Sequence, residues 1–182
     1  LETLIENLAT SGVPIRELLR KPLSSILEEM KSDDTYVKGM ALELLAFHII
    51  RILDLEFRSW RRRSSDTRGF EVDAIFEGTR LIFSRWQVQC KNTQNPVALE
   101  DIAKEVGLVP ILNTNVIVIV TTSRIGRDAK EYAEHMMRIT NLNIITLDGE
   151  EVSQLTVNPF KLLGMLNLKA RRAMEIKALD PS

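Results

Sequence analysis

"NVIVIVTTS", Asn115 to Ser123, is the stretch that decides the fold. Val116 to Val120 are all β-branched and apolar, so neither side of a strand built from them faces water. A strand covered on both faces belongs in a parallel sheet, and parallel neighbours need crossover connections, usually helices. The flanking text supplies them. "VALEDIAKEVGL" (97–108) and "RDAKEYAEHMMRIT" (127–140) carry apolar residues at helical spacing, and "LNIITL" (142–147) is a further strand.

Upstream, the pattern changes from crossover to meander. "DLEFRSW" (54–60), "FEVDAIF" (70–76) and "LIFSRWQVQC" (81–90) read as three strands. The turn "EGTR" closes the hairpin between the last two. Before them, "VKGMALELLAFHIIRIL" (37–53) is a helix apolar almost all the way round, so it is buried on several sides. Asp34 or Thr35 is its N-cap. Leu1 to Glu29 has helical periodicity interrupted at Gly12–Pro14 and Pro22. The tail, "PFKLLGMLNLKARRAMEIKAL" (159–179), is helical with a break at Gly164. Hairpins followed by βαβ units predict an α/β fold, a mixed central β-sheet flanked by helices on both faces. The divisions are an N-terminal helical extension (1–35), a core (36–155) and a C-terminal helical segment (156–182).

Composition narrows the function classes. The chain has 182 residues, 45% of them hydrophobic, enough for one core. No apolar run approaches the roughly 18 residues of a membrane span. "LETLIEN" has early acids and no basic start, unlike a signal peptide. Leu1 is not an initiator Met, so the chain is expected to be a piece of something longer, with an additional domain N-terminal to it, or to have lost its start. One cysteine excludes an internal disulfide and fits a reducing, cytoplasmic setting. His48 and His135 lie far apart, which argues against a zinc site of His and Cys. No nucleotide-binding glycine motif is present. The net charge of −1 hides "RSWRRRSSDTR", where Arg58, Arg61, Arg62, Arg63 and Arg68 face a single acid, Asp66. Such a patch binds phosphates, or is simply a solvated loop. Trp60 within it either stacks on a base or, as we prefer, anchors the segment.

The chemistry gathers on the hairpin. In "WQVQCKN" (86–92), Gln87, Gln89 and Lys91 share one face, and Val88 and Cys90 the other. On the partner strand Glu71, Asp73 and Ile75 share a face, opposite Val72, Ala74 and Phe76. If the polar faces coincide, Asp73, Gln89 and Lys91 converge. An acid, an amide oxygen and a lysine together serve a hard cation and a phosphate. Glu43 lies within the apolar stripe of its helix, where a lone carboxylate is costly unless paired or bound to a metal. The plainer alternatives are ion pairs, Glu43 with Arg51 or Arg85 and Asp73 with Lys91. His48 is a satisfied core or edge histidine, and Cys90 a small core residue.

Glu43 in an early helix, Asp73 on a strand and Gln89-Cys90-Lys91 ending the next resemble the PD-(D/E)XK nuclease superfamily. More narrowly they resemble its Mrr-like restriction endonuclease branch, where Gln typically replaces the acid before the lysine. "VIVIVTTSRIGRDAKEYAEHM" and "LNIITLDGEEV" are similar to the same branch, so the resemblance covers about Lys38 to Val152. It implies a Mg²⁺-dependent DNA endonuclease, with Mn²⁺ able to substitute, acting on double-stranded DNA. Asp73, Glu43 and the backbone carbonyl of Cys90 would hold the metal, with Glu71 as a further ligand. Gln89 would orient a metal-bound water. Lys91 would position the attacking water and stabilise the phosphorane, leaving a 5′ phosphate and a 3′ hydroxyl. The arginine patch would hold the DNA backbone, with Arg124 and Arg127 of "TTSRIGR" as weaker candidates. Two departures stand out: the approach "SDTRGFEVD" has a single glycine, and Gln89 gives a neutral oxygen. Cutting both strands needs two sites, which a homodimer provides. The alternatives are a structure-selective junction nuclease and a catalytically inactive nuclease-like module that binds DNA or protein.

Overall fold

The computed structural model describes residues 17, 19–63, 71–78, 84–158 and 160–177. The elements are α1 (Leu23–Glu29), α2 (Thr35–Arg51), β1 (Glu56–Arg63), β2 (Glu71–Gly78), β3 (Ser84–Lys91), α3 (Leu99–Leu112), β4 (Val116–Thr121), α4 (Arg127–Ile139), β5 (Asn143–Leu147), α5 (Gly149–Val157) and α6 (Lys161–Lys177). The strands form one five-stranded sheet in the order β1-β2-β3-β4-β5. β1, β2 and β3 are antiparallel, and β3-β4 and β4-β5 are parallel, so the sheet is mixed as the sequence predicts.

β4 is buried along its whole length and sorts its residues by period two. Val116, Val118 and Val120 pack with α2 and α5, while Ile117 and Ile119 pack with Ile102 of α3 and Ala129, Ala133 and Met137 of α4. α2 supplies most of the first core, from Ala41 to Ile50, and Asp34 caps it by accepting from the N–H groups of Tyr36 and Val37. Phe47 is its aromatic centre, with ring centroids 5.2 Å from Phe57, 5.9 Å from Trp60 and 5.7 Å from Phe76. Trp60 is thus an anchor buried in the core.

Several boundaries differ from the sequence reading. Arg61, Arg62 and Arg63 lie on β1 rather than in a loop, because pairing with β2 continues to Arg63↔Glu71. Arg68, Thr79 and Arg80 of the "EGTR" turn, and the helical periodicity of residues 1–16 lie outside the described residues, while Glu77 and Gly78 end β2. α3 runs on past Pro110, which falls in its last turn, and stops at Asn113 in the left-handed conformation (φ 53°). α6 runs straight through Gly164, since a lone glycine weakens a helix by about 1 kcal/mol without breaking it. α5 was not expected. Its signal is "DGEE": Asp148 accepts from the N–H groups of Glu150 and Glu151, and Glu151 reaches back to the Asp148 N–H. α6 packs Leu162 and Leu166 into one core and Ala173 and Ile176 into the other, so it wraps the β5 edge.

The start of α5 is set by close backbone approach. The Gly149 N–H donates to the Ser123 carbonyl at 2.6 Å, and a Cβ on Gly149 would lie 2.3 Å from the Thr122 carbonyl oxygen. "TTS" and "DG" are therefore two halves of one contact at the ends of β4 and β5. Gly164 has nothing within 4 Å of an added Cβ. Urea denaturation separates the two glycines. Gly149→Ala is expected to lose about 1–3 kcal/mol through steric overlap, and Gly164→Ala to gain about 0.5–1 kcal/mol through helix propensity.

Candidate active site

The site opens where two strands part. The β2-β3 register runs from Gly78↔Ser84 to Ala74↔Val88, whereas β3 stays paired with β4 as far as Lys91↔Thr121. Beyond Ala74, the Asp73 side chain takes the place of a ladder neighbour. Its Oδ2 accepts the Cys90 backbone N–H at 2.5 Å and the Gln89 amide Nε2 at 2.8 Å. The parting also breaks the expected alternation. Val72 packs with Ile75, Leu108 and Leu112 rather than sharing a core with Ala74 and Phe76.

Asp73 is buried, and its environment resists its charge. Its pKa is raised to about 7, first by burial and then by the Glu43 carboxylate; the Cys90 N–H opposes this, and Glu105 and Glu71 add to it. Three of the four residues expected to hold a metal therefore meet electrically: Asp73, Glu43 from α2 and Glu71 from the start of β2. Glu43 is half-buried, not sealed in the core. The fourth group, the Cys90 carbonyl, lies 3.4 Å from Gln89 Nε2. The Cys90 thiol turns toward α2, donating to the Leu42 carbonyl at 4.0 Å. Burial, followed by the charges of Asp73 and Glu43, pushes its pKa up, so it stays a neutral core group.

Lys91 does not pair with Asp73. Its ammonium is bound by Asp101 Oδ1 on α3, and Asp101 Oδ2 accepts the Ala98 N–H at 3.0 Å. Burial raises the Asp101 pKa, but the hydrogen bonds from Lys91 and Ala98 and the charges of Lys91 and Lys104 outweigh it, and the net shift is downward. Gln87 is fully buried and fully used. Its Nε2 donates to the Glu105 backbone carbonyl and to Glu105 Oε2, both at 3.0 Å, and its Oε1 accepts from the Thr114 hydroxyl. Asp101, Glu105 and Thr114 escaped the sequence reading. The available signal was an acid pair four residues apart on the α3 face that also carries Leu108 and Leu112.

The end of β3 is tied on both sides. The Lys91 carbonyl accepts the Thr121 hydroxyl at 2.9 Å and the Thr122 N–H at 3.1 Å. Asn92 donates to the Thr35 carbonyl at 2.9 Å, linking the strand end to the start of α2. The motif residues thus sit on rigid elements.

Among the described residues no three His, Cys, Asp or Glu side chains gather as a metal cage. What gathers is different: two carboxylates, Asp73 and Glu43, and the Gln89 Oε1, which is buried with no hydrogen-bond partner. A buried acceptor without a donor is costly. An oxygen set of one or two carboxylates with a neutral oxygen fits a hard divalent cation that keeps part of its water shell.

Of the arginine patch, the described side chain is that of Arg58, and it is engaged. Arg58 is bound by Glu77 at 2.5 Å and Glu56 at 3.0 Å, and Arg85 also pairs with Glu77, at 2.7 Å. Burial alone would raise the Glu77 pKa, but the two arginines outweigh it and hold it low. Arg124 is exposed past the end of β4, and Arg127 pairs with Glu131 at 2.9 Å. His48 is a partly buried core-edge residue whose Nε2 lacks a partner among the described residues; burial and then the Arg51 charge lower its pKa, against a backbone contact at Lys21.

Comparison with known proteins bears on this geometry. AspBHI, a DNA modification-dependent restriction endonuclease, matches with a TM-score of 0.50 and 17% identity, over 86% of this chain and 40% of that one. The MspJI restriction endonuclease, solved in complex with a 27-mer oligonucleotide, matches with a TM-score of 0.44 and 17% identity, over 86% and 38%. The chain thus spans well under half the length of either, and the likeness to AspBHI, at this identity, speaks for the fold alone. Curated protein sequences gave no match. No helix among the described residues is long and apolar enough to cross a membrane. The restriction endonuclease model for the Mrr catalytic domain matches residues 37–156, about two thirds of the sequence and all of the site just described. The chain therefore belongs to the Mrr-type restriction endonuclease catalytic-domain family.

Proposed function

We propose that this chain is the cleavage domain of a cytoplasmic restriction enzyme, with residues 36–155 as the catalytic core, and that it hydrolyses phosphodiester bonds of double-stranded DNA with Mg²⁺. The observation that carries the reading is the buried Asp73 carboxyl beside the partnerless Gln89 Oε1, with Lys91 two residues on. Asp73, Glu43 and the Cys90 carbonyl would hold the cation, with Glu71 within electrostatic reach. The ion, when bound, supplies a Lewis acid and lowers the pKa of a water. Gln89 holds that water's orientation through its free oxygen. The Lys91 ammonium provides positive charge where the phosphate gains negative charge on the way to the transition state. Arg61, Arg62, Arg63 and Arg68 are assigned to the DNA backbone, with Arg58 contributing through its exposed fraction. A homodimer would supply the second site that double-strand cleavage needs.

Plasmid cleavage tests the site. Asp73→Ala and Lys91→Ala are each expected to lower Mg²⁺-dependent cleavage by about 10²–10³-fold or more. Full activity in both variants would overturn the assignment. DNA binding indifferent to metal, with no nicking by the wild type at any metal concentration, would favour a non-catalytic module, and preference for a four-way junction a structure-selective nuclease.

The Asp73 pKa gives two pH dependences. A cation and a proton compete for the same carboxylate, so apparent Mn²⁺ affinity is expected to rise about tenfold from pH 6 to pH 8 and then level off, as read by calorimetry. For stability without metal the sign is opposite. The folded pKa of about 7 lies above the unfolded carboxylate value, so the folded state binds the proton more tightly. This contribution is complete below about pH 4 and is lost as pH rises through 7, on the order of 2–4 kcal/mol. Asp73→Asn keeps an acceptor for Cys90 and carries no charge. In EDTA its Tm is expected to exceed that of the wild type by more at pH 8 than at pH 5; an equal difference at both would refute the shift.

A further inference from the structure

We propose that Asp101 is the positioning residue for Lys91: it fixes the ammonium by an ion pair while the rest of the Asp101 carboxylate is held by the first turn of α3. The inference rests on the nuclease reading and adds a residue to its machinery. Three sets of contacts support it. At one end, the Lys91 backbone is fixed by the Thr121 hydroxyl at 2.9 Å and the Thr122 N–H at 3.1 Å. At the other, Asp101 uses its two oxygens for two purposes, Oδ1 for the Lys91 ammonium and Oδ2 for the Ala98 N–H at 3.0 Å. Ala98 has no side-chain acceptor of its own, so Asp101 alone supplies the side-chain half of this cap. Third, α3 is held in register on β3 one turn later, where Glu105 receives Gln87 through both its backbone carbonyl and its carboxylate at 3.0 Å.

The pair is only partly exposed, with 24% of the Lys91 and 29% of the Asp101 side-chain surface open to solvent. Ion pairs between freely mobile surface chains contribute little, because ordering both chains is costly. Here that ordering is already done. Asp101 is immobilised by capping, and Lys91 leaves a strand end clamped by β4. A lysine has a flexible four-carbon stem and a point charge, so without an anchor its ammonium samples many positions. Small misplacements of a catalytic group cost large factors in rate. Gln89 donates to Asp73 and Gln87 to Glu105, so Lys91 is the one member of the polar row whose anchor is an ion pair on a separate element.

Asp101→Asn separates positioning from capping. The Asn oxygen still accepts the Ala98 N–H, but its amide faces the ammonium with a donor instead of a carboxylate. Expected for this variant are a Tm within about 2 °C of wild type, a kcat for plasmid cleavage about tenfold lower and a KM within about twofold. Asp101→Glu, which keeps the charge, is expected to recover part of kcat. A readout independent of activity is NMR of ¹⁵Nζ-labelled lysine. The Lys91 ammonium, assigned as the signal lost in Lys91→Arg, should be exchange-protected in the wild type and lose that protection in Asp101→Asn. Unchanged kcat in Asp101→Asn overturns the proposal, as does a raised kcat, which would mean that Asp101 parks Lys91 away from its work. Persistence of the protected signal overturns it as well. If the wild type cuts no DNA, the nuclease reading fails while the NMR comparison still decides whether Asp101 fixes the lysine.

Discussion

Where β2 leaves β3, the Cys90 N–H takes the Asp73 carboxylate in place of a backbone partner. This substitution depends on β3 being paired on its other side. Because β4 carries β3 through to Lys91, the strand stays paired where β2 departs. A backbone donor on a central strand is a rigid place to aim a carboxylate, since the sheet would have to deform before it moved. The alternation break at Val72 is the visible cost, and Leu108 and Leu112 absorb it by covering the displaced side chain.

The polar row on β3 would be expensive if left to itself, because an amide or ammonium buried without partners loses its hydration for nothing. α3 answers it with Asp101 and Glu105, one helical turn apart, so a strand repeat meets a helix repeat. Gln87 meets Glu105 and Lys91 meets Asp101. Gln89, between them, is left to Asp73. The arrangement makes the helix a template for the strand's polar side and also fixes the electrostatics, since Glu105 contributes to the raised Asp73 pKa. Burial raises the Glu105 pKa as well, against the charge of Lys104, the Gln87 hydrogen bond, the Lys104 hydrogen bond and the charge of Lys91. Two acids reluctant to ionise, Asp73 against the Gln89 amide and Glu105 against the Gln87 amide, describe a site short of positive charge.

How much of this could be read in advance depended on the range of the interaction. The β4 run and the apolar α2 declare themselves locally, because burial on several sides leaves no polar residue in the window. The Asp73–Gln89 contact was legible because strand period two placed both side chains on one face, whereas Lys91, expected to join them, meets Asp101 instead. The acidic partners of Gln87 and Lys91 were not, since they lie on a helix 10 to 18 residues on and depend on how that helix is rotated against the sheet. α5 was missed although "DGEE" carries its cap, because a nine-residue helix has little periodicity to find. The arginines were read as a loop because charge dominates composition, whereas pairing with β2 decided that the first of them are strand.

The amide at Gln89 follows from the same shortage of positive charge. Asp73 already has Glu43, Glu71 and Glu105 within electrostatic reach, and the described hydrogen bonds to its Oδ2 come from a backbone N–H and an amide. A glutamate at position 89 would replace a donor with a further negative charge against a carboxylate whose pKa already stands near 7. The glutamine donates to Asp73 through nitrogen and holds an unsatisfied oxygen in reserve. The Asp73 carboxyl is thus hydrogen bonded by its own strand neighbours, and on the proposed function the spare oxygen would serve the cation's water. On the proposed function, the glutamine would trade strength of metal binding for a strand that is stable before a cation binds.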